Sequence, residues 1–286
     1  MSMPGFPILT ESLPHSETVL DNRSRALRQQ IVRMVESAKR GHIGSAFSLV
    51  EMLRVLYDDI LRYDARTPRW PERDRFILSK GHGCLALYVL LAEKGFFPQE
   101  ELLKFCKSDG ILGGHPEYGK VPGIEASTGS LGHGLSIGIG MALNARQRKA
   151  DYRVFVVSSD GENNEGSVWE AALAASKHHL SNLVVLIDYN KQQSYGTTYE
   201  VLNVEPFADK WRAFGFATQE VDGHDVSQLR TALARVPFEQ GKPSALICHT
   251  IKGKGVSYVE NNLRWHHKNS ITPEEVESLL KELETH

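Results

Sequence analysis

Cysteine is scarce in this sequence: Cys84, Cys106 and Cys248 are the only three in 286 residues. They form neither a pair-rich framework nor a CxxC pair. That excludes a disulfide scaffold and a thiolate metal site, and it points to a reducing compartment, the cytoplasm. An excess of charge of one sign is lacking too. Lys and Arg number 33 against 35 Asp and Glu, for a net charge of −2. Neither nucleic acid nor an anionic membrane is an indicated partner. No apolar run approaches the length that spans a bilayer. Residues 1–21 have no basic start and no apolar centre, so no signal peptide is expected, and their prolines read as an irregular lead-in. HExxH and HxxxH spacings are absent, which argues against zinc.

Hydrophobic residues make up 41% of the chain, ample for a large core. Twelve histidines are the compositional oddity, several of them beside glycine. The stretch from Arg153 to Gly196 organises the rest. Val154–Val157 is a short β-branched run that stops at Ser158-Ser159-Asp160-Gly161. Val168, Ala171, Ala172 and Ala175 then recur at helical spacing, and Leu183–Ile187 is a second apolar run that stops at Asp188-Tyr189-Asn190. Strand, helix and strand at this length predict a βαβ unit with parallel strands. Asp160 and Asn190 then lie past the carboxyl ends of parallel strands, where open α/β sheets bind ligands. A carboxylate and an amide oxygen there make a hard-oxygen site suited to Mg²⁺ and a diphosphate. Two turn residues at strand ends are the plainer reading of the same pair.

Elsewhere the patterning predicts helices over 22–39 (Ala26, Ile31, Met34 and Val35 inward), 49–61, from about Cys84, 98–107, 135–149, 207–214, 226–236 and 272–284. Further strands are expected at 75–78, 217–221 and 244–248. Residues 110–134 are glycine-rich and aperiodic, and a loop of that length inside a compact domain is usually functional. Gly114–Lys120 matches GxxxxGK, but Val121 stands where a P-loop needs Ser or Thr, and no strand precedes it. The whole predicts one doubly wound, mostly parallel α/β domain over 22–286.

His42, His82, His115 and His266 each lie in a loop beside glycine or aromatic residues. Any one of them alone reads as a satisfied loop histidine. Together at one sheet edge they would grip hydroxyls and move protons near neutral pH.

The motifs around these residues resemble those of transketolases. Asp160-Gly161 followed by Asn190 is similar to the thiamine-diphosphate signature, with Ser159 where the family usually has glycine. Glu165-Gly166 with Trp169-Glu170-Ala171 resembles its transketolase form. Arg40-Gly41-His42-Ile43-Gly44 resembles SGHPG, and Ser79-Lys80-Gly81-His82-Gly83 resembles an NGHG-type segment. Gly114-His115-Pro116-Glu117 through Gly123-Ile124-Glu125 to Thr128-Gly129-Ser130-Leu131-Gly132 is similar to GHPE…GVE…TGPLGQG. Ile251 to His266 resembles the stretch bearing a further active-site histidine.

The resemblance implies a thiamine-diphosphate fold and ketol transfer between a ketose and an aldose, free or phosphorylated. Asp160, Asn190 and the Gln192 carbonyl would hold Mg²⁺, or Ca²⁺ or Mn²⁺ in its place. His82, Gly129, Ser130, Leu131, Gly161, Glu162 and His266 would lie against the cofactor. His42, His82, His115 and His266 would face the sugar, with His267 the alternative to His266, and Glu165 would sit at a subunit contact linking two active sites. No pyrimidine-binding block is recognisable in the chain. A separately encoded C-terminal subunit is therefore the expected partner, in an α₂β₂ assembly. Two other readings stay open here: membership of a different thiamine-dependent carboligase, and a non-catalytic cofactor-binding relic.

Overall fold

The structure, a computed structural model, describes residues 16–285 of the chain. Most of the expected lead-in lies outside them. Residues 16–21 carry no helix or strand, and the Ser16 and Thr18 hydroxyls both donate to Asp222 at 2.8 Å. Five strands form the centre: β1 (Arg75–Leu78), β2 (Val154–Ser159), β3 (Leu183–Tyr189), β4 (Ala217–Asp222) and β5 (Ser244–His249). They lie in the order β1-β2-β3-β5-β4, and every pairing is parallel. β2 and β3 are buried along their whole length, which is why they read as apolar runs and not as alternating strands.

Alternate strand residues feed two separate cores. Phe155 and Val157 of β2, with Val184 and Leu186 of β3, point to one face. Val154 and Val156, with Val185 and Ile187, point to the other. The second face is covered by α4 (Gly134–Gln147), α5 (Gly166–Lys177) and α7 (Phe207–Ala213), which precede β2, β3 and β4 while the chain moves across the sheet in one direction. From β4 to β5 the chain turns back, and right-handed crossover puts α8 (Val226–Leu233) on the first face. There it joins α1 (Asn22–Ala38), α2 (Ile43–Val55), α3 (Cys84–Glu93) and α9 (Pro273–Thr285). The expected doubly wound architecture is the one observed, with its sheet wholly parallel among the described residues.

α4 packs on β2 closely enough that a Cβ at Gly138 would come within 2.6 Å of Val156. α9 begins as the sequence predicts, with Thr272 and Glu275 bonding reciprocally at 3.0 and 3.2 Å.

Four expectations need correction. α2 starts at Ile43, not Leu49, because all 13 of its residues are buried and no amphipathic period marks its start. The inward position of α1 is Leu27, and Ala26 is exposed. The segment predicted as a helix at 98–107 is a short 3-10 turn over Gln99–Lys104. Finally, α6 (Thr198–Leu202), capped by Thr197 and Glu200, was not anticipated.

Candidate active site

β2 and β3 run in register, with Ser159 beside Asp188, so the two chains leave the sheet together. Asp160 follows β2 and is fully buried. Its carboxylate accepts from the Gly161 N–H at 2.7 Å and from the Lys191 N–H, so the turn after β3 closes over it. Lys191 takes a left-handed backbone (φ 59°) in that turn. Asn190 is buried before it, and its side-chain oxygen accepts from the Gln192 N–H at 3.0 Å. Asp160, Asn190 and Gln192 are thus brought together. Burial and the nearby Asp188 charge push the Asp160 carboxyl up to about 7.

Ser159 has no positive φ, so serine adds no backbone strain there; its hydroxyl accepts from the Glu162 N–H at 3.3 Å.

Beneath this turn lies a network that no sequence motif announces. The buried Asp188 accepts from Ser48 at 2.7 Å, from Asn190 at 3.2 Å, from Thr250, and from the Lys80 ammonium. Burial raises the Asp188 carboxyl, but Lys80 and the hydroxyl donors outweigh it and hold it below the usual range. Glu162, also buried, accepts from Ser79 and from the Gly132 N–H at 2.8 Å; its desolvation raises its pKa. Lys252 donates to the carbonyls of Gln192 and Gln193 at 3.2 and 3.1 Å. Burial and the Lys80 charge bring its pKa down to about 8. Lys80 stands in the glycine motif already quoted, and Lys252 in the stretch from Ile251 to His266. A lysine two or three residues past an apolar strand was the available signal.

Lys80, Glu162, Asn190, Gln192 and Lys252 are among the residues lining a cavity of about 220 Å³, with Asp160 and Asp188 buried behind them. Ser45, Glu162, Gln192, Gln193 and His266 line it, and each carries a buried polar atom with no partner. Buried polar atoms without partners are rare, and here they converge on one space, as a polar ligand would require. Gly129, Leu131 and Gly161 are in the lining, whereas Ser130 is exposed outside it. Gly129 has φ +148°, and a Cβ there would meet the His115 ring at 3.2 Å.

His42, His82 and His266 line this cavity, and His115 and His267 stand next to His42 outside it. His42 lies 5.4 Å from His82, 6.4 Å from His115, 5.6 Å from His266 and 4.4 Å from His267, between ring centroids. Burial first, then the neighbouring His267, holds His42 at a pKa of about 3. His266 falls to about 3 by burial and the Lys252 charge, and burial lowers His82 and His115 as well. Neutral imidazoles at physiological pH can accept or donate hydrogen bonds without a charge to neutralise. His266 lines this cavity and bonds Ser194 at 3.1 Å, while His267 does not line it. Glu165 is not part of the cluster; it is exposed at the start of α5 and makes no capping bond.

Residues 20–286 match the family described as transketolase, thiamine diphosphate binding domain. The chain belongs to the transketolase family. It is 44% identical to an apulose-4-phosphate transketolase subunit from Phocaeicola vulgatus, over 92% of this chain and 93% of that one. It is 39% identical to the 6-deoxy-6-sulfo-D-fructose transketolase subunit SqwG of a Clostridium species, over 93% and 96%. The transketolase from Leishmania mexicana superposes with a TM-score of 0.87 at 28% identity, covering 94% of this chain but 42% of that longer one. The chain thus spans about two fifths of that solved transketolase and nearly all of the two relatives named as subunits. As a transketolase-family domain it binds thiamine diphosphate. Among the described residues no group of three or more His, Cys, Asp or Glu could hold a metal ion, and no helix is long and apolar enough to cross a membrane. The oxygens that Asp160, Asn190 and Gln192 bring together are of the kind a hard divalent cation takes.

Proposed function

We propose that this chain is the cofactor-binding subunit of a two-chain transketolase. It would transfer a two-carbon ketol unit from a ketose to an aldose, with a separately encoded C-terminal subunit in an α₂β₂ assembly in the cytoplasm. Residues 22–286 would act as one binding unit. The observation that carries this reading is the cavity of about 220 Å³ at the strand ends, with its five unpartnered buried polar atoms and its roof of neutral histidines.

Asp160, Asn190 and the Gln192 carbonyl would hold Mg²⁺, and Ser45, Gly161 and Lys252 would take the diphosphate oxygens. Thiamine diphosphate, when bound, supplies the nucleophilic carbon and the electron sink. His42, His82, His115 and His266 would orient the sugar hydroxyls and move protons at its carbonyl and neighbouring oxygens. Glu165, exposed at the start of α5, would lie at the subunit contact. The names of the two bacterial relatives carry a phosphate and a sulfonate, so a sugar with an anionic end is the substrate class we favour.

Titration of thiamine diphosphate and Mg²⁺ into the assembled complex tests the metal assignment. Asp160→Ala should weaken metal-dependent binding by at least about 100-fold, the scale of a lost charged contact; retained affinity would refute it. Ketol transfer should need both subunits, and turnover by this chain alone would sink the two-chain reading.

A further inference from the structure

A second cavity, about 610 Å³, opens beside the first, and His42 and His82 line both. His115 and His267 line it as well. Its charge is one-sided: Arg40, Lys107 and Lys120 are in the lining, and no Asp or Glu is. Lys120 reaches Glu117 only at 3.5 Å. Lys107 donates to the Ser37 hydroxyl at 2.8 Å and has no carboxylate partner among the described residues. The Arg40 guanidinium has neither a hydrogen bond nor an ion pair among them. By contrast Arg28, Arg54, Arg73 and Arg153 are each matched to a carboxylate.

The backbone under Arg40 is anchored. Gly41 exchanges two hydrogen bonds with Lys268, at 3.0 and 2.9 Å, which clamps the entry to α2 against the His266-His267 loop. Arg40 is therefore presented from a fixed base at the wall of a cavity. A concave site whose lysine and arginine side chains face no carboxylate in the lining concentrates positive potential and attracts an anion. A guanidinium adds a geometric match, since its parallel N–H groups fit two oxygens of a tetrahedral anion.

Resting on the function proposed above, we infer that Arg40, with Lys107 beside it, binds the tetrahedral anionic end of the sugar, phosphate or sulfonate. The carbonyl end would lie across the histidine wall at the cofactor cavity. Preference for a charged sugar would then be set in part by this chain and not by its partner alone.

The test uses the chain assembled with its C-terminal partner and thiamine diphosphate, and follows ketol transfer from fructose 6-phosphate and from fructose. Arg40→Gln should lower the ratio of kcat/KM between the two sugars about 10- to 100-fold, the scale of a lost charged hydrogen bond, and should act mainly through KM. Arg40→Lys should restore part of it. Inorganic phosphate should compete with the phosphorylated sugar, and less well in the variant. The same comparison with 6-deoxy-6-sulfo-D-fructose separates a phosphate reader from a sulfonate reader. Equal losses on charged and uncharged sugar, or an unchanged ratio, overturn the inference. If the complex transfers a ketol from no sugar, the proposed function is what fails. Phosphate binding to the intact chain, followed by ³¹P line broadening, then decides the site: loss in Arg40→Gln/Lys107→Gln supports it, and persistence overturns it.

Discussion

Asp188 accepts hydrogen bonds from four side chains, Ser48, Lys80, Asn190 and Thr250. His42, which lines the cavity, packs against four imidazoles and hydrogen-bonds through its side chain to none among the described residues. The Asp188 network, the floor, is satisfied from within the chain, and in it Asp188 and Lys80 compensate each other's charge. His42 in the roof keeps its hydrogen-bonding capacity in reserve, and burial, with neighbouring imidazoles and lysines behind it, keeps the roof neutral. A floor of that kind supports the fold, whereas a roof of that kind is ready for a substrate.

The largest expected effect breaks the floor. Asp188→Ala leaves the Lys80 ammonium buried without its counter-charge, which should cost about 3–5 kcal/mol of stability. Denaturant unfolding measures it, and a loss under about 1 kcal/mol would contradict the picture of mutual dependence. In the roof the expectation reverses. His266→Ala should leave stability within about 0.5 kcal/mol and lower ketol transfer by about 10²- to 10⁴-fold. His267→Ala should lower it less, because His267 lies outside the cavity of about 220 Å³. Equal effects would sever the link between cavity and chemistry.

Acidity separates the two regions again. His42 and His266 titrate near 3 in the fold and near 6.5 when unfolded, so the unfolded chain binds more protons between those values. Their contribution is present above about 6.5 and is lost as the pH falls toward 3. Asp160 runs the other way: its folded value of about 7 lies above its unfolded one, so its contribution is present at low pH and lost as the pH rises through 7. Unfolding of the cofactor-free chain across this range, in the wild type and in His42→Asn/His266→Asn, should show a flatter acid limb in the variant. The same Asp160 shift predicts that metal affinity rises with pH up to about 7, since a proton must leave before the metal binds. The smallest effect belongs to Ser159→Gly. It removes one bond of 3.3 Å and should change stability by no more than about 1 kcal/mol, with cofactor affinity kept.

The sheet was legible because β2 and β3 are apolar runs that stop at polar turns, and that is what covered parallel strands look like. The start of α2 was hidden for the opposite reason, since Ile43–Val55 is buried on every side and shows no polar face. α6 could have been read, because Thr197 and Glu200 form a capping box. In the site, Asp160, Asn190 and the four histidines stood out as polar residues at strand ends or beside glycine. Asp188 did not, because it is the sixth residue of an otherwise apolar strand, and only the fold shows that Ser48 and Thr250, far away in the chain, come to meet it. Lys80 and Lys252 are buried by contacts no local pattern announces.

α2 carries a consequence for local dynamics. His42 immediately precedes it, and no residue of that helix is exposed. Its amides can exchange with solvent only when much of the first core opens, so they should be among the slowest in the chain. His115 stands instead in the aperiodic loop between α3 and α4, where exchange needs only local opening. Two imidazoles 6.4 Å apart would therefore lie on opposite sides of a protection boundary: one moves with the fold as a whole, and the other can adjust to a substrate without it.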